Sequence, residues 1–386
     1  MRIDLEAEAD REACGALKDY WYVACLTSEL KAGVPLARTV FGVPLVLFRD
    51  PAGQPVALFD RCLHRNARLS AGVVMNGCLS CPYHGWTYNG AGQCVEIPSL
   101  GPDQRGHCLD EAGHRSAGLD LAPADVGRVP AWATCEQEGL VYVYPGADPS
   151  AARRPPMGLP HFGEAGWRSY FMVTDFPNGV THLVENFMDV PHTVFVHRGW
   201  FRRASRRQVP ARVERRGERV CITYAQARDR ISGLGRVFNP TGESMTHTDL
   251  FIAPNVTRVD YGWGPEGAAH PRSGFTIMSQ CTPVGPTASR VYTAIGFRLP
   301  RDLPGAAVAR LFQPVLAWYT RQVIQQDVAI MAVQREGLCN APGGGVFRST
   351  EADLPHTDIE AVRAWLRDGA KGPGPSTEDR HMEFWI

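Results

Sequence analysis

The chain has 386 residues, 44% hydrophobic and 21% charged, the profile of a folded globular protein too long for one ordinary core, so two domains are expected. Lys plus Arg and Asp plus Glu number 40 each, a balance that excludes a global field for recruiting nucleic acid or an anionic membrane. No run approaches the roughly 18 apolar residues of a membrane helix, and the acidic start at Met1–Asp10 lacks the apolar stretch of a secretory signal, so the cytoplasm is the expected compartment.

From Tyr20 to about Tyr144, short apolar runs such as Val43–Phe48, Val56–Phe59 and Leu140–Tyr144 are separated by Gly, Pro, Asn and Asp, which predicts antiparallel β structure. A Pro- and Arg-rich stretch from Pro145 to Pro160 then breaks the pattern as an exposed linker would, placing the boundary near residue 150 and the domains at 1–150 and 151–386. Beyond it, Asn178–His197 reads as helical, Val209–Leu299 as several strands, and Pro314–Arg335 as a long helix with Pro314 in its first turn. The expected fold class is α+β: an all-β N-terminal domain, then a domain with an antiparallel sheet flanked by helices. Gly343-Gly344-Gly345 lacks the Gly-Lys-Ser/Thr ending of a phosphate cradle and has no nucleotide role.

Eleven cysteines, an odd number in a chain without secretory features, predict reduced thiols, some bound to metal, and argue against a disulfide framework. Cys14, Cys25, Cys94, Cys108, Cys135, Cys221, Cys281 and Cys339 have no metal-type spacing and read as small buried hydrophobes. Arg61-Cys62-Leu63-His64 is followed, after sixteen residues, by Cys81-Pro82-Tyr83-His84-Gly85-Trp86, so two short loops each present one thiolate and one imidazole. Two sulfur and two nitrogen ligands suit either tetrahedral zinc or a 2Fe-2S cluster with histidines on one iron, and spacing leaves both open. A zinc site would use Cys78 with Cys81 as Cys-x-x-Cys; a cluster would leave Cys78 out. Pro82 stiffens its loop, while Gly85 permits the positive φ with which backbone approaches an inorganic core.

With the aromatic at Tyr88, this pattern resembles the Rieske family. The resemblance implies that Cys62 and Cys81 hold one iron of a 2Fe-2S cluster and His64 and His84 the other. Exchanging two thiolates for imidazoles removes negative charge and lifts the potential from about −400 mV to between about −150 and +300 mV. Such a cluster carries one electron at a time, so its partner must be redox-active.

Further on, Asp189, His192 and His197 form Asp-x-x-His-x-x-x-x-His in an apolar stretch. On a helix Asp189 and His192 share a face. His192 and His197 stand about 140° apart around an ideal helix and reach one metal only if the helix bends or ends between them. A lone His in an apolar run is more often a satisfied core residue; two need only one carboxylate to make the 2-His-1-carboxylate triad of non-haem Fe(II) oxygenases. Asp327 supplies it, because Val323, Ile324, Ile330 and Met331 share its helical face and a desolvated carboxylate is tolerated when a metal compensates it. Asp353 and Asp358, among Thr, Pro and His, read as solvated loop charges, and the nine arginines from Arg198 to Arg219 as a solvated or subunit-facing surface.

This region resembles the catalytic domain of Rieske non-haem iron oxygenases on Asn186, Asp189, His192, His197 and Asp327, and with the cluster loops and Trp21-Tyr22-Val23 the resemblance covers nearly the whole chain. It implies that His192, His197 and Asp327 bind a mononuclear Fe(II). It also implies that Asp189 is a catalytic bridge through which His84 of a neighbouring subunit, in a head-to-tail homotrimer, communicates with His192. Dioxygen, the co-substrate, would take one electron from Fe(II) and one from the cluster. No dinucleotide Gly-x-Gly-x-x-Gly motif is evident, so NAD(P)H electrons are expected through a separate reductase, with or without a ferredoxin. The expected activity is hydroxylation or oxidative demethylation of a small aromatic or other cyclic apolar molecule; ring cis-dihydroxylation stays open, because the ligands do not distinguish one-atom from two-atom insertion. A Rieske electron carrier would need only one small domain, and a zinc-binding interaction protein would leave the triad unexplained.

Overall fold

The structure, a computed structural model, describes residues 2–3, 15–109, 115–200, 207–225, 235–266, 271–300, 305–341 and 345–385. Cys14, Arg202, Arg203, Arg206 and Gly343-Gly344, all singled out above, lie outside the described residues. The chain forms two units, Lys18–Pro156 and a second of Met157–Ile386 joined by the described residues ahead of Lys18. The division therefore falls after Pro156 rather than near residue 150. The leading residues, expected in the first domain, go with the second: Arg2–Ile3 pairs antiparallel with Gly345–Val346, a partnership that no local pattern announces.

The first unit is all β, as its punctuation predicts. It comprises β1 (Tyr22–Leu26), β2 (Leu36–Val40), β3 (Val43–Arg49), β4 (Pro55–Phe59), β5 (Val73–Met75), β6 (Cys78–Ser80), β7 (Thr87–Tyr88), β8 (Cys94–Glu96), β9 (Gly106–Leu109), β10 (Arg115–Leu121), β11 (Ala131–Gln137) and β12 (Leu140–Tyr144). One six-stranded sheet has the order β1-β12-β11-β4-β3-β2, and a four-stranded meander runs β5 to β8. Val46, Phe48 and Leu58 of the larger sheet and Leu79 and Tyr88 of the smaller pack in one core around Cys62 and Cys81. The cysteines are thus held in close-packed, apolar surroundings.

The second unit is built on an eight-stranded antiparallel sheet. Its elements are β13 (Arg168–Phe176), α1 (Val180–Phe187), β14 (Gln208–Arg216), β15 (Arg219–Tyr224), β16 (Ser244–Ile252), β17 (Val256–Gly264), β18 (Ser273–Gly285), β19 (Ala288–Arg298), α2 (Gly305–Asn340), α3 (Leu354–Arg367) and β20 (Glu378–Trp385). The order β13-β19-β18-β17-β16-β15-β14-β20 places the C-terminal strand beside β14. Alternation is plain in β14, where Val209, Ala211 and Val213 are buried and Gln208, Pro210 and Arg212 exposed. Leu316 and Ile324 of α2 pack against Tyr170 and Met172 of β13, and Tyr170 Oη lies 3.0 Å from Thr320 Oγ1. No helix among the described residues is long and apolar enough to cross a membrane.

Three local readings change. The long helix starts at Gly305, so Pro314 sits inside it and removes one helical N–H donor. The expected helix over Asn178–His197 is only α1 followed by a single 3-10 turn, Pro191–Val194: Pro191 has no N–H to continue the ladder and opens the new turn. Asp358 is no solvated loop charge. It lies in α3 with its side chain 1% exposed, 2.5 Å from Arg215 Nη1 of β14 and bonded also to Arg380 of β20. The other described arginines of β14 are paired too, Arg212 with Asp379 at 2.5 Å and Arg216 with Glu214 at 2.5 Å.

Candidate metal centres and substrate cavity

Cys62 and Cys81 follow β4 and β6 in two loops of similar build. In the first, the Cys62 N–H donates to the Ala67 carbonyl at 2.9 Å and the Asn66 N–H to the Cys62 carbonyl at 3.0 Å; in the second, the Cys81 N–H donates to Trp86 at 2.8 Å and the Gly85 N–H to Cys81 at 3.1 Å. Gly85 has φ +73°, and a Cβ there would meet Pro98 Cγ at 2.9 Å, so this turn requires glycine. Cys78 lies in β6 opposite Met75, outside both loops.

Both cysteines are buried, while His64 is half-buried and His84 exposed. The Tyr88 hydroxyl lies 3.2 Å from Cys62 Sγ. Burial pushes the Cys81 thiol above its ordinary pKa, opposed by hydrogen bonds from the Tyr83 and His84 backbone amides. Burial, then His84 and Arg65, hold His64 below its ordinary value, which keeps it neutral as a ligand must be, and its buried Nδ1 has no hydrogen-bond partner. His64 stacks on Trp86 at 4.7 Å, and the two imidazole rings lie 4.6 Å apart.

Zinc and the cluster can now be told apart. A tetrahedral zinc, with Zn–S about 2.3 Å and Zn–N about 2.0 Å, draws all four donors within about 4 Å of one another. Among the described residues only one group of three or more such donors lies within 4.8 Å, and these four residues are not it. Two buried thiols, one with amide donors and the other with the Tyr88 hydroxyl beside it, and two imidazoles nearby fit a sulfide-bridged pair of irons.

The group that does converge is His192, His197 and Asp327. His192 sits in the 3-10 turn and His197 just past it; the Phe195 and Val196 N–H groups both donate to the His192 carbonyl, at 3.0 and 2.9 Å, and this turn carries His197 round to the same point. The α-helix has already ended at Phe187, and the short 3-10 turn ends between the two histidines, so the ideal-helix separation does not apply. Asp327 comes from the buried face of α2, with Val323 and Ile324 beside it on the cavity wall; Ile330, expected on that face, is 40% exposed. His192 Nε2 and His197 Nε2 are 3.3 Å apart, and Asp327 Oδ1 lies 3.5 and 3.3 Å from them.

That triangle encloses a point about 2 Å from each atom, the length of a metal bond to imidazole or carboxylate. Asp327 Oδ1 is buried without a hydrogen-bond partner, and a cation among the three atoms would satisfy it together with both ring nitrogens. Burial opposes ionisation of Asp327, but His192 and His197 hold its carboxyl below the usual range. Burial likewise works against protonated His192, yet Asp327 and then Asp189 raise its pKa. Behind the triangle, His197 Nδ1 meets Gln326 Oε1 at 2.9 Å, and His192 Nδ1 lies 3.7 Å from Asp189 Oδ2. Burial raises the Asp189 pKa, with His192 and His356 pulling the other way.

The triad opens on a cavity of about 160 Å³ between the sheet and α2, walled mainly by apolar side chains such as Phe238, Phe275, Ile277 and Ile295. Residues 20–117 match the Rieske 2Fe-2S domain family, and residues 180–362 match the vanillate O-demethylase oxygenase C-terminal domain family. The chain is 30% identical, over 84% of its own length and 90% of the relative's, to a protein of Comamonas testosteroni described as the iron-sulfur subunit of a toluene-4-sulfonate monooxygenase system. The chain belongs to the Rieske non-haem iron oxygenases.

Other likenesses to this Rieske oxygenase agree. The oxygenase component of dicamba O-demethylase from Stenotrophomonas maltophilia is 37% identical over 47% of this chain and 48% of that protein. The match spans 27% of the chlorophyllide a oxygenase of Chlamydomonas reinhardtii, so the chain covers about half or less of these curated relatives. The fold is that of dicamba monooxygenase in complex with dicamba, with a TM-score of 0.69 over 92% of this chain and 98% of the other at 23% identity.

Sequence reasoning missed three features of this oxygenase. Gln326 gives no signal, being one of several glutamines on α2. Tyr88 is noted only as an aromatic, not as a partner of Cys62 sulfur. His247 and Asp249 of β16 are both buried on the cavity wall; their trace is two polar residues on the inward phase of an alternating strand.

Proposed function

We propose that this chain is the terminal oxygenase component of a cytoplasmic multicomponent system that hydroxylates or oxidatively demethylates a small aromatic or cyclic apolar molecule. The observation that carries this reading is the triangle of His192, His197 and Asp327 at the edge of an apolar cavity. Cys62, Cys81, His64 and His84 would hold the 2Fe-2S cluster, and the triangle a mononuclear Fe(II). When bound, these groups supply the two electrons with which dioxygen is activated.

The protein's own residues do the rest. Gln326 accepts from His197 Nδ1 and so leaves Nε2 free as a ligand, and Asp189 stands ready to do the same for His192. The apolar walls exclude water and hold a flat ligand beside the triangle. Tyr83, 65% exposed, and His84 put the cluster edge within reach of a donor, which supports delivery of NAD(P)H electrons by a separate reductase or ferredoxin. A groove beside Asp189, His356 and Glu360 is where His84 of a neighbouring subunit would approach Asp189 in a homotrimer.

The test is metal analysis on protein purified without oxygen, followed by turnover with a chemical reductant, a panel of methoxy- and methyl-arenes and isotopically labelled dioxygen. Two sulfide-bridged irons plus one further iron, with label appearing in product or water in step with substrate loss, is the expected result. Iron beside the cysteines alone, with none lost on His192→Ala, overturns it.

A further inference from the structure

One buried polar cluster of the cavity holds neither metal. His247 and Asp249, two apart on β16, project from the same side of the sheet, and His247 Nε2 lies 3.0 Å from Asp249 Oδ1. The Tyr224 hydroxyl, from neighbouring β15, donates to Asp249 Oδ2 at 3.0 Å. The His247 ring lies between the rings of Tyr224, 4.3 Å away, and Tyr261, 4.1 Å away, both within 20° of parallel. The cluster is therefore rigid, and the Asp249 side chain is only 2% exposed.

A carboxylate is costly in such a place, where a leucine would fill the wall at no electrostatic cost. It lines the same cavity as the metal triad, with mostly apolar neighbours. A carboxylate has about four lone-pair positions, and Tyr224 and His247 occupy two of them. Among the described residues that line the cavity there is no Lys or Arg, so an anion entering it would face a carboxylate without a lysine or arginine counter-charge.

We infer that Asp249, positioned by His247 and Tyr224, is the acceptor that selects the substrate: a small aromatic molecule bearing a hydrogen-bond donor, such as a phenolic hydroxyl, an amine or a ring N–H, in preference to one bearing a carboxylate or sulfonate. This rests on the oxygenase reading and names the substrate class for the same cavity. The donor group docks on Asp249, and the rest of the ring lies along the apolar wall toward the triad.

The test is calorimetric binding to the oxidised holoenzyme, without reductant, of three matched probes: anisole, 4-methoxyphenol and 4-methoxybenzoate. Cluster absorbance and iron content are measured on the same samples, so a missing metal reports failure of the oxygenase reading and not of this one. With both metals present, 4-methoxyphenol is expected to bind about tenfold or more tightly than anisole, a charge-assisted hydrogen bond, with the benzoate weakest. Asp249→Asn keeps the shape and removes the charge; it should cut the phenol's advantage by about fivefold or more and strengthen benzoate binding relative to the unaltered protein. A ranking with the benzoate first, a phenol no better than anisole, or a ranking that Asp249→Asn leaves unchanged overturns the inference. The ranking in the unaltered protein needs no variant, so a misfolded Asp249→Asn leaves the test standing.

Discussion

Asp189 Oδ2 lies 3.7 Å from His192 Nδ1, on the side of the ring opposite the nitrogen that meets Asp327 at 3.5 Å. One imidazole thus spans two carboxylates, one facing the metal position and the other facing a groove at the surface.

If Asp189 conducts rather than ligates, Asp189→Ala should lower turnover by at least about 100-fold while both iron centres remain. Metal analysis and steady-state oxygen uptake on one preparation decide this. A fall of less than about tenfold, or loss of the mononuclear iron, would give Asp189 a structural role instead.

Gln326 and Asp327 are adjacent, so one turn of α2 supplies both the carboxylate proposed as a ligand and the acceptor that orients His197. Gln326→Leu should weaken Fe(II) binding by about tenfold, read by competition with a chelator, with the cluster spectrum unchanged. Gln326→Glu, which keeps an acceptor there, should retain the iron.

Asp358 is buried between Arg215 and Arg380. Asp358→Ala removes the buried carboxylate shared by Arg215 and Arg380, leaves Arg215 only the longer contact to Glu378 at 3.3 Å, and should cost about 3 kcal/mol in urea-induced unfolding of the second unit. A cost near the ~1 kcal/mol of a surface pair would mean that water reaches the guanidinium groups.

In the first unit, Arg49 donates twice to Glu136, at 2.8 and 2.9 Å, and holds its carboxyl below the usual range against partial burial. Because the folded value lies below the unfolded one, the stabilisation is fully present above about pH 4.3 and disappears as pH falls through the folded value. Glu136→Gln should therefore be less stable than the unaltered protein at pH 7, and the gap should close on acidification. Thermal unfolding from pH 7 to pH 3 measures it; a gap independent of pH would assign the loss to packing.

Both candidate metal sites are legible in the chain wherever the possible donors sit close together in sequence. Cys62-Leu63-His64, Cys81-Pro82-Tyr83-His84 and Asp189 to His197 each place their donors on one loop or turn, where spacing alone limits the geometry. The β-rich first unit was equally plain, because alternation and turn residues act over a few positions. Asp327 was found as an acid in an apolar helical setting, although its meeting with His197 depends on how α2 lies across the sheet.

Only the tertiary structure decided the rest. It sent Asp358 inward to an arginine 143 residues away, set Gln326 against a histidine 129 residues away, and brought His247 and Asp249 onto the cavity wall with Tyr224 of the neighbouring strand bonded to Asp249. It also tied Arg2–Ile3 to Gly345–Val346 and moved the division between the units past Pro156. The physical reason is common to all of these. A polar group's fate is set by the donor or acceptor it meets after folding, and when that partner comes from a distant strand, the residues flanking it in sequence carry no trace of the meeting.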